Sequence, residues 1–156
     1  MSEVYSIVYK PQHANHALPD RYARVPLDKA RLVEGYGIEG DRKGGNPQRQ
    51  LNIMSYETLV GLEGEGYKVA PGEMGEQIIL QGIDVNVLQT GDRLQIGSAV
   101  VEILKPRTGC DRFEKIQTLT KEQCAGRMGM MAGVVVSGTI SVGDPVKVLE
   151  PSIQAS

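Results

Sequence analysis

Arg93-Leu94-Gln95-Ile96-Gly97-Ser98-Ala99-Val100-Val101-Glu102-Ile103-Leu104 is the stretch that decides the fold. Its first four residues alternate polar and apolar, as a half-buried strand does. Gly97-Ser98 then reads as a two-residue type II′ connection, in which glycine supplies the positive φ of a tight hairpin. Residues 99–104 return as the second strand. Just upstream, 87–96 turns at Gly91-Asp92. The same device recurs at Gly143-Asp144-Pro145, ahead of an apolar run at 146–149. Further short apolar runs at 4–10, 29–33, 50–54, 77–80, 130–136 and 139–142 lie between glycine and proline turns.

Helical signals are few. Ser55 stands as an N-cap, Glu57 follows in the first turn, and Leu59, Val60 and Leu62 form an apolar face ended by Gly64 and Gly66. Thr120-Lys121-Glu122-Gln123 fits a capping box, so a second short helix is expected to reach Arg127. The sum is about seven to nine strands and two or three helices. That pattern predicts a mainly β protein, a closed or nearly closed β-barrel with a few short peripheral helices, since closure removes exposed edges. One domain is expected over 1–150, with 151–156 as a frayed tail.

The chain has 156 residues, 17 Lys and Arg against 19 Asp and Glu, and a formal net charge of −2. A nucleic-acid-binding domain carries a basic excess, which is missing here. No apolar run approaches a membrane span, and the start of the chain lacks the basic and apolar blocks of a signal peptide. A cytoplasmic protein without membrane or nucleic-acid partners is expected. With one Phe, six Tyr and no Trp, the core must come from Val, Ile and Leu. Cys110 and Cys124 make no disulfide framework, although a single bridge between them is compatible with the sequence.

The chemistry concentrates in Lys105-Pro106-Arg107-Thr108-Gly109-Cys110-Asp111-Arg112. Pro106 and Gly109 turn the chain after a strand and place the thiol at a loop mouth. Arg107 and Arg112 flank it and favour the thiolate, the form that attacks electrophiles and binds metals, while Asp111 and Glu114 oppose them. Gly40-Asp41-Arg42-Lys43-Gly44-Gly45 is a glycine-rich loop able to hold an anion, with neither Walker nor dinucleotide spacing. Arg49-Gln50 and Gly75-Glu76 put polar residues at strand starts. His13 and His16 lack the further ligands of a zinc site. No Gly-x-Ser-x-Gly elbow supports a serine hydrolase.

Taken in order, Gly37-Ile38-Glu39-Gly40-Asp41-Arg42, Arg49-Gln50-Leu51, Pro71-Gly72-Glu73-Met74-Gly75-Glu76-Gln77-Ile78, the 87–97 stretch, the cysteine segment, Gly126-Arg127-Met128-Gly129 and the 138–144 stretch resemble the MOSC family. That family is named after the C-terminal domain of molybdenum-cofactor sulfurases, and the likeness is to a small stand-alone member. Lys43 stands where the family often has histidine, and Gly109 where it commonly has proline. The resemblance implies a β-barrel and a metal-ligating thiolate at Cys110, a soft third donor beside the two dithiolene sulfurs of molybdopterin. It implies Arg42, Lys43, Arg49, Glu76, Arg107, Thr108 and Arg112 as cofactor-binding residues, the basic ones meeting the phosphate.

The activity implied is reduction of N-hydroxylated compounds, such as hydroxylamino purines, by a molybdenum-dependent oxidoreductase. Without a flavin, haem or iron–sulfur motif, electrons must come from a separate donor protein. Pyridoxal phosphate, found in a separate domain of the fused sulfurases, is not expected. The alternatives are a non-catalytic carrier of molybdenum cofactor, or of sulfur as a Cys110 persulfide, and a barrel with a decayed site serving as an interaction module.

Overall fold

The computed structural model describes residues 2–11, 24–42, 44–47, 49–109 and 111–149, with the side chains of 111 and 112 outside that description. The hairpin read from sequence is present. β7 (Arg93–Ile96) pairs antiparallel with β8 (Ala99–Pro106), Ile96 opposite Ala99. Gly97 has φ +55, and a Cβ there would meet Asp144 Oδ2 and the Thr139 carbonyl at 2.6 Å. Glycine is therefore required for both conformation and space. β8 runs two residues past the expected end, because Lys105 and Pro106 still pair with Met131 and Met130.

The remaining strands are β1 (Glu3–Tyr9), β2 (Val25–Leu27), β3 (Lys29–Val33), β4 (Gly37–Ile38), β5 (Leu51–Ser55), β6 (Ile78–Gln81), β9 (Met130–Val136), β10 (Gly138–Ser141) and β11 (Val146–Leu149). Eight of them form one sheet in the order β11-β7-β8-β9-β5-β6-β1-β2, and β10-β3-β4 form a second. Every pairing is antiparallel except β5 with β6, which are joined through α1 (Tyr56–Glu63) and run parallel.

The expected barrel is not closed: neither sheet pairs its own two edge strands. β3, β4 and β10 pair with one another and so do not bridge β11 to β2. Single contacts stand in for a closing ladder at one corner. Val4 N donates to the Asp144 carbonyl at 2.9 Å, and Gly143 N to the Val4 carbonyl at 2.8 Å.

The larger core draws on both sheets. Ala30, Leu32, Ile38 and Ile140 of the small sheet pack with Leu51, Ile53, Ile78, Leu80, Val101 and Ile103 of the large one. Burial of each such branched side chain contributes about 1.5–3 kcal/mol. A second cluster sits on the opposite face of β5 and β6, where Met54 and Ile79 meet Leu59 and Leu62 of α1 and Phe113 of α2 (Asp111–Gln117). Alternation along β5 thus supplies two cores from one strand: Leu51 and Ile53 serve the first, Met54 the second.

The helices depart from expectation. Ser55 occupies the N-cap of α1, yet its hydroxyl donates to the Ile83 carbonyl at 2.5 Å and accepts Val85 N at 2.8 Å, tying the helix start to the segment after β6. The capping box at Thr120 forms in part, with Gln123 Oε1 accepting Thr120 N, but only a 3₁₀ turn follows at Glu122–Cys124. Ala125 has left the helical region, with ψ 134, and Gly126 has φ +81, so no helix reaches Arg127. The second helix is α2, immediately after the cysteine. Its signal was present: Phe113, Ile116 and Gln117 fall on one helical face, and all three are buried. No helix among the described residues is long and apolar enough to cross a membrane.

Candidate functional site

Three chain segments meet over the sheet face that carries the second core: the glycine-rich loop, the turn 70–77 and the stem of the cysteine loop. The turn is their hub. Its Glu76 side chain is 1 % exposed and points back into the turn, where Oε2 accepts Gly72 N at 2.6 Å and Oε1 accepts Met74 N at 3.1 Å. Gly75 takes φ +87, a region in which L side chains are strained. Burial pushes the Glu76 carboxyl up to about 7, against the pull of the turn's N–H groups and the Arg107 guanidinium.

With the N–H groups turned inward, carbonyls of the turn face its neighbours. The Met74 carbonyl accepts from Arg107 Nη1. The Gly75 carbonyl accepts from Arg24 Nη2 and from Asn52 Nδ2, each at 3.4 Å. Asn52 lies in β5, opposite Met131, and is buried. Its Oδ1 is buried as well and has no hydrogen-bond partner among the described residues. A buried acceptor left unpaired costs about 1–3 kcal/mol, so Oδ1 suits a ligand or water that donates a hydrogen bond.

Gln77 ties the glycine-rich loop to this hub. Its Oε1 accepts Asn52 N at 2.9 Å, and its Nε2 donates to Asp41 Oδ2 at 3.3 Å. Asp41 is fully buried, and its other oxygen accepts Lys10 N at 3.2 Å. The aspartate of the Gly-Asp-Arg stretch is thus an internal anchor, and the arginine beside it, Arg42, remains exposed. Gln50, also buried, accepts Val134 N at 2.8 Å and lies against Gly133, where a Cβ would approach its amide to 3.2 Å.

The cysteine loop is held at both stems. Before it, Arg107 N donates to the Gly129 carbonyl at 3.0 Å, and the Arg107 guanidinium stands 5.8 Å from the centre of the Phe113 ring. After it, Gln117 at the end of α2 donates from Nε2 to the Glu73 carbonyl at 3.0 Å and to the Lys68 carbonyl at 2.9 Å. The Arg107–Phe113 contact spans the interval that contains Cys110. Tyr67 packs on Phe113 with ring centres 6.3 Å apart and donates to the Thr120 carbonyl; burial pushes its phenol up to about 12.

Of the residues singled out from sequence, the structure brings Glu76 and Arg107 together at the hub. Arg49 and Thr108 are exposed, as is Arg42, whose backbone N donates to the Lys10 carbonyl. Cys110, Lys43 and the histidines 13 and 16 lie outside the described residues, as do the side chain of Arg112 and the tail 151–156. Cys124 is a free, buried thiol whose Sγ donates to the Lys121 carbonyl at 3.5 Å, and burial raises its pKa. Among the described residues no cluster of three or more His, Cys, Asp or Glu could hold a metal ion.

Sequence reading missed Arg24, Asn52, Gln77 and Gln117. Three of them carried a signal: Asn52 interrupts an apolar strand, Gln77 precedes one, and Gln117 continues the apolar face of α2. The set fits an anionic pterin carrying a metal. The unpaired Asn52 oxygen can accept from a ring N–H, and Arg24 and Arg107 bring positive charge to the same turn.

The MOSC domain profile matches residues 40–147. The fold is similar to those of several solved structures. YiiM from Escherichia coli aligns with a TM-score of 0.72 at 20% identity, over 97% of this chain and 71% of that one. YiiM from Geobacillus stearothermophilus gives 0.73 at 20% identity, over 99% and 78%. The YuaD protein of Bacillus subtilis gives 0.72 at 21% identity, over 95% and 96%. No curated protein matches the sequence. With the family's motifs read in order and its profile covering the span from the glycine-rich loop to the last strand, the chain belongs to the MOSC domain family.

Proposed function

We propose that this protein binds molybdenum cofactor with Cys110 as the metal's thiolate ligand and reduces N-hydroxylated compounds, hydroxylamino purines among them. The observation that carries the reading is the convergence of Arg107, Arg24 and Asn52 on one turn beside Arg107's own segment, with the Asn52 oxygen buried and unpaired among the described residues. MOSC domains in general are associated with this cofactor. When bound, the cofactor supplies a two-electron metal centre.

The protein's own groups bind and orient. Cys110 would contribute a soft anionic donor. Arg107, with Arg112, Arg42, Arg49 and Lys43, would meet phosphate charge, and Thr108 would add a hydroxyl donor. Asn52 would fix the pterin edge. The overall reaction consumes two electrons and two protons, turning R–NH–OH into R–NH₂ and water. The electrons come from a separate donor protein, in line with a domain that orients a cofactor while the cofactor carries the chemistry.

The test is molybdenum content per chain after purification from cofactor-producing cells, wild type beside Cys110→Ser, followed by turnover of an N-hydroxylated base with a chemical reductant. Loading that depends on Cys110, together with turnover, supports the reductase. Loading without turnover points to a carrier of cofactor or of persulfide sulfur. Equal loading of both proteins, or none in either, rejects the cofactor reading.

A further inference from the structure

We propose that Asn52, Met131 and Lys105 form a recognition track for a flat, fused nitrogen heterocycle: a ring N–H edge meets Asn52 at the buried end, and an anionic substituent meets Lys105 at the exposed end. The inference deepens the cofactor reading, on which it rests for the ligand's identity, by fixing which way the ligand lies.

Strand register builds the track. Asn52 of β5 stands opposite Met131 of β9, and Met131 opposite Lys105 of β8. Residues paired across strands share a face of the sheet. The flanking pairs, Leu51 with Ala132 and Ile53 with Met130, belong to the larger core, so this row takes the opposite face. Adjacent strands lie about 4.8 Å apart, which separates β5 from β8 by about 10 Å. That span suits two fused rings with a short anionic arm.

Each side chain has a different duty. Asn52 is 5 % exposed, and its Nδ2 is spent on the Gly75 carbonyl at 3.4 Å. A flipped amide would set oxygen against that carbonyl, so the side chain is held with its oxygen free to accept. That oxygen has no partner among the described residues. It selects an N–H and penalises a ring lone pair, because two acceptors cannot satisfy each other. Met131 is buried and offers a polarisable thioether to a ring lying along the row. Lys105 is exposed and makes no ion pair among the described residues, so its ammonium is available to a carboxylate or phosphate. An amino-pyrimidinone edge joined to an anionic arm is common to a pterin and to a guanine nucleotide, and the track reads that shared chemistry.

The experiment titrates the cofactor-free protein with pterin-6-carboxylate, with unsubstituted pterin and with guanosine monophosphate, following ligand fluorescence or heat. Wild type is expected to bind pterin-6-carboxylate. Asn52→Leu should weaken it about tenfold, the scale of one hydrogen bond to a buried acceptor. Lys105→Gln should weaken it about threefold at low salt, an effect that disappears at high salt and with unsubstituted pterin. Lys105→Gln, at an exposed site, keeps the test open should Asn52→Leu fold poorly. Wild-type affinity for pterin-6-carboxylate in both variants overturns the track and leaves the cofactor reading standing. An equal effect of Lys105→Gln on pterin with and without the carboxylate overturns the orientation. Failure of wild type to bind any of the three probes overturns the track as well. Binding of the nucleotide alone, weakened by both substitutions, upholds the track and rejects the cofactor reading.

Discussion

Replacing Gln77 by leucine tests how the glycine-rich loop is fastened to the sheet. Gln77 is 4 % exposed, and its amide is used at both ends, by Asn52 N at 2.9 Å and Asp41 Oδ2 at 3.3 Å. Leucine fills similar space but offers neither partner anything. The Asn52 N–H then stays buried without an acceptor, which costs about 1–3 kcal/mol, and the loss of a donor to the Asp41 carboxyl adds a comparable amount. Extra apolar burial offsets a part of this, leaving a net loss of about 2–4 kcal/mol out of a typical 5–15. Urea denaturation followed by circular dichroism measures it. Gln77→Glu sharpens the question. It keeps the acceptor for Asn52 N but places a second carboxyl against Asp41, so the pKa of the new group is raised in the folded state. Stability of that variant must therefore fall as pH rises, because the folded form holds the extra proton more tightly than the unfolded one. A Gln77→Leu loss below about 0.5 kcal/mol, the usual range for a surface change, would refute the reasoning.

Two further outcomes are expected. Ile53 is fully buried in the larger core, so Ile53→Ala should cost about 2–5 kcal/mol by the same denaturation, while Val87→Ala, at a site 71 % exposed, should cost close to nothing. Glu76 gives a pH dependence of definite sign: its pKa rises from an ordinary 4.5 to about 7 on folding, so its contribution to stability is full below 4.5 and is lost as pH climbs towards 7. The loss across that window is at most about 3 kcal/mol at 1.36 kcal/mol per unit, and thermal melts between pH 4.5 and 8 should show it in wild type and not in Glu76→Gln.

Most strands were legible because each is written locally. An alternation such as Leu94, Ile96, Ala99, Val101 and Ile103 needs only the period of the pleat to declare its buried face. Glycine turns mark the ends, and Gly97 does so through both its φ and the lack of room for a Cβ. The two-residue β4 and three-residue β2 are too short to display a period, so neither carries a strand signal in sequence. α2 went unread because its apolar positions, Phe113 and Ile116, sit among charged residues in a segment of seven.

The sequence by itself determined the mainly β character, the family and the glycine and proline turns between the strands. Each depends on residue type at close spacing, where backbone preference and hydrophobic period act directly. Only the tertiary structure decided that the barrel stays open, since pairing β10 with β3 and not with a neighbour of β11 is a choice among distant partners. It also decided the duties of the polar residues. Glu76 looks from sequence like a group that could face a ligand, and Asp41 lies in a loop able to hold an anion. Burial turns them inward, because a polar atom removed from water must find its hydrogen bonds among the neighbours that folding supplies.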